Sequence, residues 1–260
     1  MTKIYVEIIG QGEPLVLVHG WGWHSGIWLP IVAHLRDNFQ LFLIDLPGFG
    51  KSPVLTNDYN FAAIFELLQP IIPSKAAWLG WSLGGTFAWW LAIHHPERVA
   101  NLITVATSPK FVSDPHWPGM APHTLEKFSQ SLINNYQKTL EDFLALQLRG
   151  SPQQDALFQQ LHQQLQSLPK TALPALTGGL KLLQETDLRF QLKKTLCPSL
   201  HIFGQHDTLV PTRIIPLIKD ELPNAQCEII KRAGHIPFLT QAEEFLNVFN
   251  RFHNTYSHSI

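Results

Sequence analysis

"GWSLGG", residues 80–85, lies between the apolar run "AAWL" (76–79) and the helix-like stretch "TFAWWLAIHHPERV" (86–99). Glycines at 80 and 84 suit a backbone turn so sharp that side chains on either side would collide, and that geometry pushes the hydroxyl of Ser82 outward. A serine that only caps the following helix is the plain alternative. The functional reading is G-x-S-x-G, a strained strand-to-helix turn that exposes a reactive oxygen above a parallel sheet. The rest of the chain decides between them.

Around this turn the sequence alternates apolar runs with helical patterns. "PLVLVHG" (14–20), "FQLFLIDLPG" (39–48), "AAWLGWS" (76–82) and "LITVATSP" (102–109) read as buried strands ending in loops, with amphipathic stretches between most of them. Such alternation implies a mostly parallel sheet flanked by helices. The pattern stops after Pro109, and the stretch to about 186 offers no strand. Within it, Leu157, Leu161, Leu165 and Leu168 recur at helical spacing, and Ser151, Pro152 and Gln154 supply start signals. Strands return with "CPSLHIFGQHD" (197–207) and "AQCEIIKRAGH" (225–235), and "QAEEFLNVFNRF" (241–252) closes the chain as a helix. The expected organisation is an α/β core over 1–110 and 187–260, interrupted by a helical cap over 111–186.

The 260 residues are 45% hydrophobic and 15% charged, with a formal net charge of −1. This composition is globular, and it supplies no overall field to attract nucleic acid or anionic lipid. Neither a signal-like start nor a membrane-spanning run is present, so a soluble cytoplasmic protein is expected. Cys197 and Cys227 lack disulfide-framework, metal or redox spacing and read as buried thiols.

A serine hydroxyl is a poor nucleophile at neutral pH unless a base takes its proton, and the base needs a third group to fix its tautomer. Asp207 in "GQHDTLVP" and His235 in "KRAGHIPF" each fall just past an apolar strand, where open α/β sheets place functional loops. Ser82, Asp207 and His235 therefore form the candidate triad. Ester cleavage also builds negative charge on the carbonyl oxygen, and each aimed N–H donor lowers that barrier by roughly 3 kcal/mol. The donors expected here are the backbone N–H groups of Leu83 and of Trp21, the latter in "HGWG" (19–22), where Gly20 and Gly22 let the backbone approach.

Two motifs are excluded as decoys. "GFGKS" (48–52) resembles the end of a phosphate-binding loop, but Asp45 stands where that motif needs its first glycine. His94 and His95 sit at a helix end without partners at ligand spacing, so no metal and no cofactor is expected.

With these pieces in place the chain resembles the α/β-hydrolase superfamily, in which Ser, Asp and His follow in this order, and within it the BioH family of pimeloyl-acyl-carrier-protein methyl ester esterases. The likeness covers nearly the whole length. It is carried by "LVHGWGW", "DLPGFGKS", "WLGWSLGG", "HHPERV", "TVATSP", "WPGM", "DFLALQ", "GGL" with "TDLR", "GQHDTLVP" and "AGHIPF". The resemblance implies the α/β-hydrolase fold with a helical cap, a Ser82–Asp207–His235 triad and an oxyanion hole from Trp21 and Leu83. It also implies an apolar channel lined by Trp81, Phe128, Phe143 and Leu146 beside the site residues themselves. Its implied function is hydrolysis, by a monomer, of the methyl ester of pimeloyl-acyl-carrier protein in biotin synthesis. Small esters are further substrates.

The family's cap is expected to offer basic residues to an acidic carrier. Here Lys127, Lys138, Arg149, Lys170 and Lys181 face Asp114, Glu126, Glu141, Asp142, Asp155, Glu185 and Asp187, so docking is assigned to a local cluster of Lys110, Lys138 and Arg149. Two other readings stand beside this one: a general short-chain carboxylesterase without a dedicated carrier, and a receptor-like hydrolase fold with little turnover. The intact triad argues against the second. Haloalkane dehalogenases and epoxide hydrolases need a carboxylate at the nucleophile position, which Ser82 excludes.

Overall fold

The computed structural model describes residues 3–55, 58–152, 154–166 and 170–256. Seven strands form one sheet: β1 (Val6–Ile9), β2 (Glu13–Val18), β3 (Phe39–Ile44), β4 (Ala76–Trp81), β5 (Val99–Val105), β6 (Ser199–Gly204) and β7 (Gln226–Ile230). Their order is β1-β3-β2-β4-β5-β6-β7, with every pair parallel except β1–β3. The antiparallel β1 is absent from the sequence reading, because "VEII" is short and lacks clear alternation. β5 also begins earlier than expected, at Val99 rather than 102.

Strand residues alternate between two cores. Val16, Val18 and Phe42 enter one apolar cluster, while Leu15, Leu17, Leu41 and Leu79 enter the other. Helices α1 (Leu29–Leu35), α2 (Phe61–Leu68) and α3 (Leu83–His94) follow the early strands, and α8 (Ile215–Glu221), α9 (Pro237–Thr240) and α10 (Ala242–Tyr256) follow the late ones. α3 is buried on nearly all sides, so its sequence is apolar all round rather than amphipathic. At its end the His94 ring lies 2.9 Å from the Trp90 carbonyl, a helix-terminal contact.

Among the described residues four α-helices stand between β5 and β6: α4 (Pro122–Asn134), α5 (Tyr136–Leu148), α6 (Gln154–Gln166) and α7 (Leu173–Glu185). Leu161 is the buried centre of the α6 leucine stripe and Leu157 and Leu165 flank it half-buried, whereas Leu168 lies outside the described residues. Ser151 hydroxyl accepts the Gly234 N–H at 3.3 Å, tying the start of α6 to the loop after β7. Where the chain leaves and rejoins the sheet, Lys110 contacts Asp114 at 3.0 Å and Asp187 at 3.2 Å, and Arg189 contacts the same two carboxylates at 3.1 and 2.7 Å.

Both cysteines are free and half-buried rather than buried as the sequence suggests, and what burial they have pushes both thiols up to about 11.

Candidate active site

Ser82 sits between β4 and α3 with φ 54° and ψ −118°, in the left-handed half of backbone space that a serine rarely visits. The flanking glycines explain how the turn closes. A Cβ on Gly80 would strike the Gly84 carbonyl, and one on Gly84 would strike the carbonyls of Val18 and His19. The strained residue is held by its neighbours: its N–H donates to the Val105 carbonyl at 2.9 Å, and its carbonyl accepts the Thr86 N–H at 2.9 Å.

Asp207 and His235 come from the loops after β6 and β7, at the same carboxyl edge of the sheet as Ser82. His235 Nε2 lies 2.9 Å from Ser82 Oγ, and Nδ1 lies 2.7 Å from Asp207 Oδ2. Asp207 Oδ1 accepts the N–H groups of Leu209 and Val210, so the carboxylate is fixed before it meets the imidazole. All three residues predicted from sequence are thus brought together. The His235 loop has further anchors: its N–H donates to the Gln147 carbonyl at 3.0 Å, and its carbonyl accepts the Trp81 indole N–H at 2.8 Å.

Above Ser82, Leu83 opens α3, where a first-turn N–H has no carbonyl behind it to bond. Trp21 lies in the turn after β2, where Gly22 adopts φ 78° and a Cβ on Gly20 would press into the Trp81 ring. The Trp21 indole donates to the Leu176 carbonyl of α7 at 2.8 Å, and its ring packs edge-on against Phe143, which packs edge-on against Phe128. Leu146 is half-buried in the same cluster. Ser82 itself is only 2% exposed.

Two expectations are corrected here. Trp81 does not share the apolar face of Phe128, Phe143 and Leu146. The alternation of β4 sends its ring to the opposite core, against Trp23, Phe238 and His235, where it braces the histidine loop. Nor do Lys110, Lys138 and Arg149 form a cluster. Lys110 is engaged by Asp114 and Asp187, Lys138 pairs with Asp142 at 2.8 Å, and Arg149 lies eleven residues further along, about 16 Å at helical rise.

Sequence reasoning missed the residues that hold these loops. His19 accepts the Leu46 N–H on Nε2 at 3.0 Å and donates from Nδ1 to the Gly20 carbonyl at 2.8 Å, and burial lowers its pKa to about 4. Asp45 accepts the N–H groups of Ser25 and Lys51. The residue that excluded a phosphate loop is therefore the organiser of "GFGKS". Gln147 adds a side-chain acceptor for the Trp23 indole at 2.9 Å. A histidine and an aspartate at strand ends were the available signals. Among the described residues no cluster of three or more His, Cys, Asp or Glu side chains could hold a metal.

The family model described as alpha/beta hydrolase fold matches residues 13–242. Pimeloyl-[acyl-carrier protein] methyl ester esterase of Aeromonas hydrophila is 40% identical over 251 residues, spanning 96% of this chain and 99% of that protein. The protein of the same name from Serratia marcescens is 40% identical, spanning 97% and 98%. The chain belongs to this esterase family of the α/β hydrolases. Among solved structures, an esterase from Exiguobacterium antarcticum superposes with a TM-score of 0.88 at 24% identity, covering 96% of this chain and 95% of that one. A bromoperoxidase from Bacillus anthracis superposes at 0.86 with 25% identity, covering 96% and 95%. The pimeloyl ester relatives are set apart by their 40% identity, whereas the solved structures, at 24% and 25%, share the fold. No helix among the described residues is long and apolar enough to cross a membrane.

Proposed function

We propose that the chain hydrolyses the methyl ester of a pimeloyl group carried on acyl-carrier protein, acting in the cytoplasm as a monomer, with residues 111–186 as a cap over the site. Ser82 Oγ attacks the ester carbonyl while His235 Nε2 accepts its proton, and Asp207 holds the imidazole in the required tautomer. The N–H groups of Leu83 and Trp21 receive the developing oxyanion. The proton on His235 then passes to the departing methoxy oxygen, methanol leaves, and water repeats the sequence to release the carboxylate. Trp21, Leu83, Phe128, Phe143 and Leu146 supply the apolar surface for the chain.

The observation that carries this reading is the unbroken Ser82–His235–Asp207 hydrogen-bonded line, 2.9 and 2.7 Å, in a chain about 40% identical to esterases of that name. The test compares kcat/KM on methyl pimeloyl-carrier protein with that on free dimethyl pimelate. Preference for the carrier-linked ester supports the proposal, and equal rates favour a general short-chain carboxylesterase. The dispersal of Lys110, Lys138 and Arg149 is what gives that second reading its weight. Rapid steady turnover of any aryl ester excludes a receptor role.

A further inference from the structure

Among the described residues three non-glycine positions take a positive φ, and two of them, Ser82 at 54° and Ala106 at 47°, end the neighbouring strands β4 and β5. A reactive turn explains the first, but alanine carries no chemistry of its own. What the turn at Ala106 does is fold Thr107 back onto the strand it has just left. The Thr107 hydroxyl, fully buried, donates to the Val105 carbonyl at 2.9 Å and to the Ser82 carbonyl at 3.3 Å. The stretch "GWSLGG" also holds one glycine outside the G-x-S-x-G pattern, Gly85. A Cβ there would strike Thr107 Oγ1, so this glycine leaves room for the hydroxyl against the first turn of α3.

One hydroxyl proton is thus shared between two carbonyls, and both belong to the setting of Ser82. The Val105 carbonyl also accepts the Ser82 N–H at 2.9 Å, and the Ser82 carbonyl also accepts the Thr86 N–H at 2.9 Å and the Thr86 hydroxyl at 3.2 Å. The peptide unit before the Ser82 Cα is therefore tied to Thr107 through Val105, and the unit after it through its own carbonyl. That second unit is planar, and its other end is the N–H of Leu83. In a trans peptide the C=O and N–H point in opposite directions, so a hydroxyl holding the carbonyl on one side aims the N–H on the other. A donor on the carbonyl also polarises the unit and makes its N–H a stronger donor.

We propose that Thr107 is a positioning residue for the oxyanion site, its hydroxyl setting the aim of the Leu83 N–H from behind the elbow. The inference rests on the Leu83 donor of the mechanism proposed above. Its test compares pentyl trifluoromethyl ketone with pentyl methyl ketone as inhibitors. With the first, a bond forms from Ser82 Oγ to the carbonyl carbon, the carbonyl π pair moves to oxygen, and the hydroxyl proton passes to His235. The second is too weak an electrophile and binds unreacted. The quantity read is the ratio of the two Ki values, which does not depend on the active fraction of a preparation. In Thr107→Val the Val105 carbonyl keeps the Ser82 N–H and the Ser82 carbonyl keeps the Thr86 N–H, so no backbone acceptor is left bare and the fold should tolerate the change. That variant should narrow the ratio about tenfold by weakening the fluorinated ketone alone, less than the loss of an oxyanion donor outright. On an aryl ester kcat should fall by a similar factor with KM nearly constant, and Thr107→Ser should recover most of the loss. Thr107→Ala, which removes the hydroxyl without adding a methyl group, should narrow the ratio as Thr107→Val does. An unchanged ratio in both hydroxyl-free variants, with wild-type protein preferring the fluorinated ketone, overturns the role of Thr107 and leaves the Leu83 donor in place. A shift in the acid limb of the pH–rate profile of Thr107→Val would put the loss at the imidazole and overturn it too. Equal Ki values for the two ketones on wild-type protein mean that no oxyanion is held, and both the donor and the inference fall.

Discussion

The indole N–H of Trp81 donates to the backbone carbonyl of His235 at 2.8 Å, joining the residue before the elbow serine to the residue that faces its hydroxyl. The nucleophile strand and the histidine loop are thereby set against each other through a buried ring. Trp81→Phe keeps most of the bulk but leaves that carbonyl without its donor, which should cost about 1–3 kcal/mol of stability in urea unfolding. In steady-state assays on an aryl ester kcat should fall more than KM rises, because imidazole placement suffers and the acyl surface does not. An unchanged kcat would mean that the Gln147 and Ser151 anchors hold the loop by themselves.

Removing any member of the Ser82–His235–Asp207 line should cut turnover by several orders of magnitude without unfolding the chain, because the three act as a unit. Ser82→Ala combined with His235→Ala should be little slower than either alone. Circular dichroism checks the fold, and near-wild-type turnover by Ser82→Ala would remove the nucleophile assignment.

The triad was legible in the sequence because each member carries a local signature: glycines around Ser82, and strand-end loops for Asp207 and His235. The sheet was legible for the same reason, since parallel buried strands are continuous apolar runs. What stayed hidden depends on which face a residue takes or what it meets across the chain. Trp81 looked like channel lining, yet a strand turns alternate residues to opposite faces, and position 81 falls on the side away from Phe143. The basic trio looked like a patch because one-dimensional spacing does not show that Asp114, Asp142 and Asp187 already hold two of the cations. His19 was passed over inside "HGWG" because its role is to bond the Leu46 N–H, 27 positions away.

Stability should decline in mild acid. Burial lowers His19 to about 4 and His201 to about 3, from an ordinary value of 6.5, so both stay neutral in the fold while the unfolded chain takes up protons. The contribution is complete above about pH 6.5 and is lost as pH falls toward those folded values, at a limiting slope of about 1.4 kcal/mol per pH unit for each group. For His19 the incoming proton would land on Nε2, where the Leu46 N–H already points, so the two loops around the site should loosen together. Urea midpoints measured from pH 7.5 down to 5 should fall steadily, and a flat profile would show that these imidazoles take up protons as readily in the native protein as in the unfolded chain.

Carrier recognition should depend only weakly on salt. Raising ionic strength from about 0.01 to 0.15 M shortens the Debye length from roughly 30 to 8 Å and weakens steering by exposed charge. Here Lys110 is bound to Asp114 and Asp187, and Lys138 is offset by Asp142 one helical turn away. Arg149 is exposed, with no ion-pair partner among the described residues. Of these three residues only Arg149 is left unpaired, and one cation gives little field, so kcat/KM on methyl pimeloyl-carrier protein should drop by less than about tenfold across that range, while a small neutral ester barely responds. Arg149→Glu should lower the carrier rate selectively, and Lys138→Glu should do less, because its charge is already compensated. A steep salt dependence with equal losses at positions 138 and 149 would restore a basic docking patch on α5. A response shared equally by the carrier substrate and the small ester would instead put the charge effect at the catalytic site and leave encounter with the carrier uncharged.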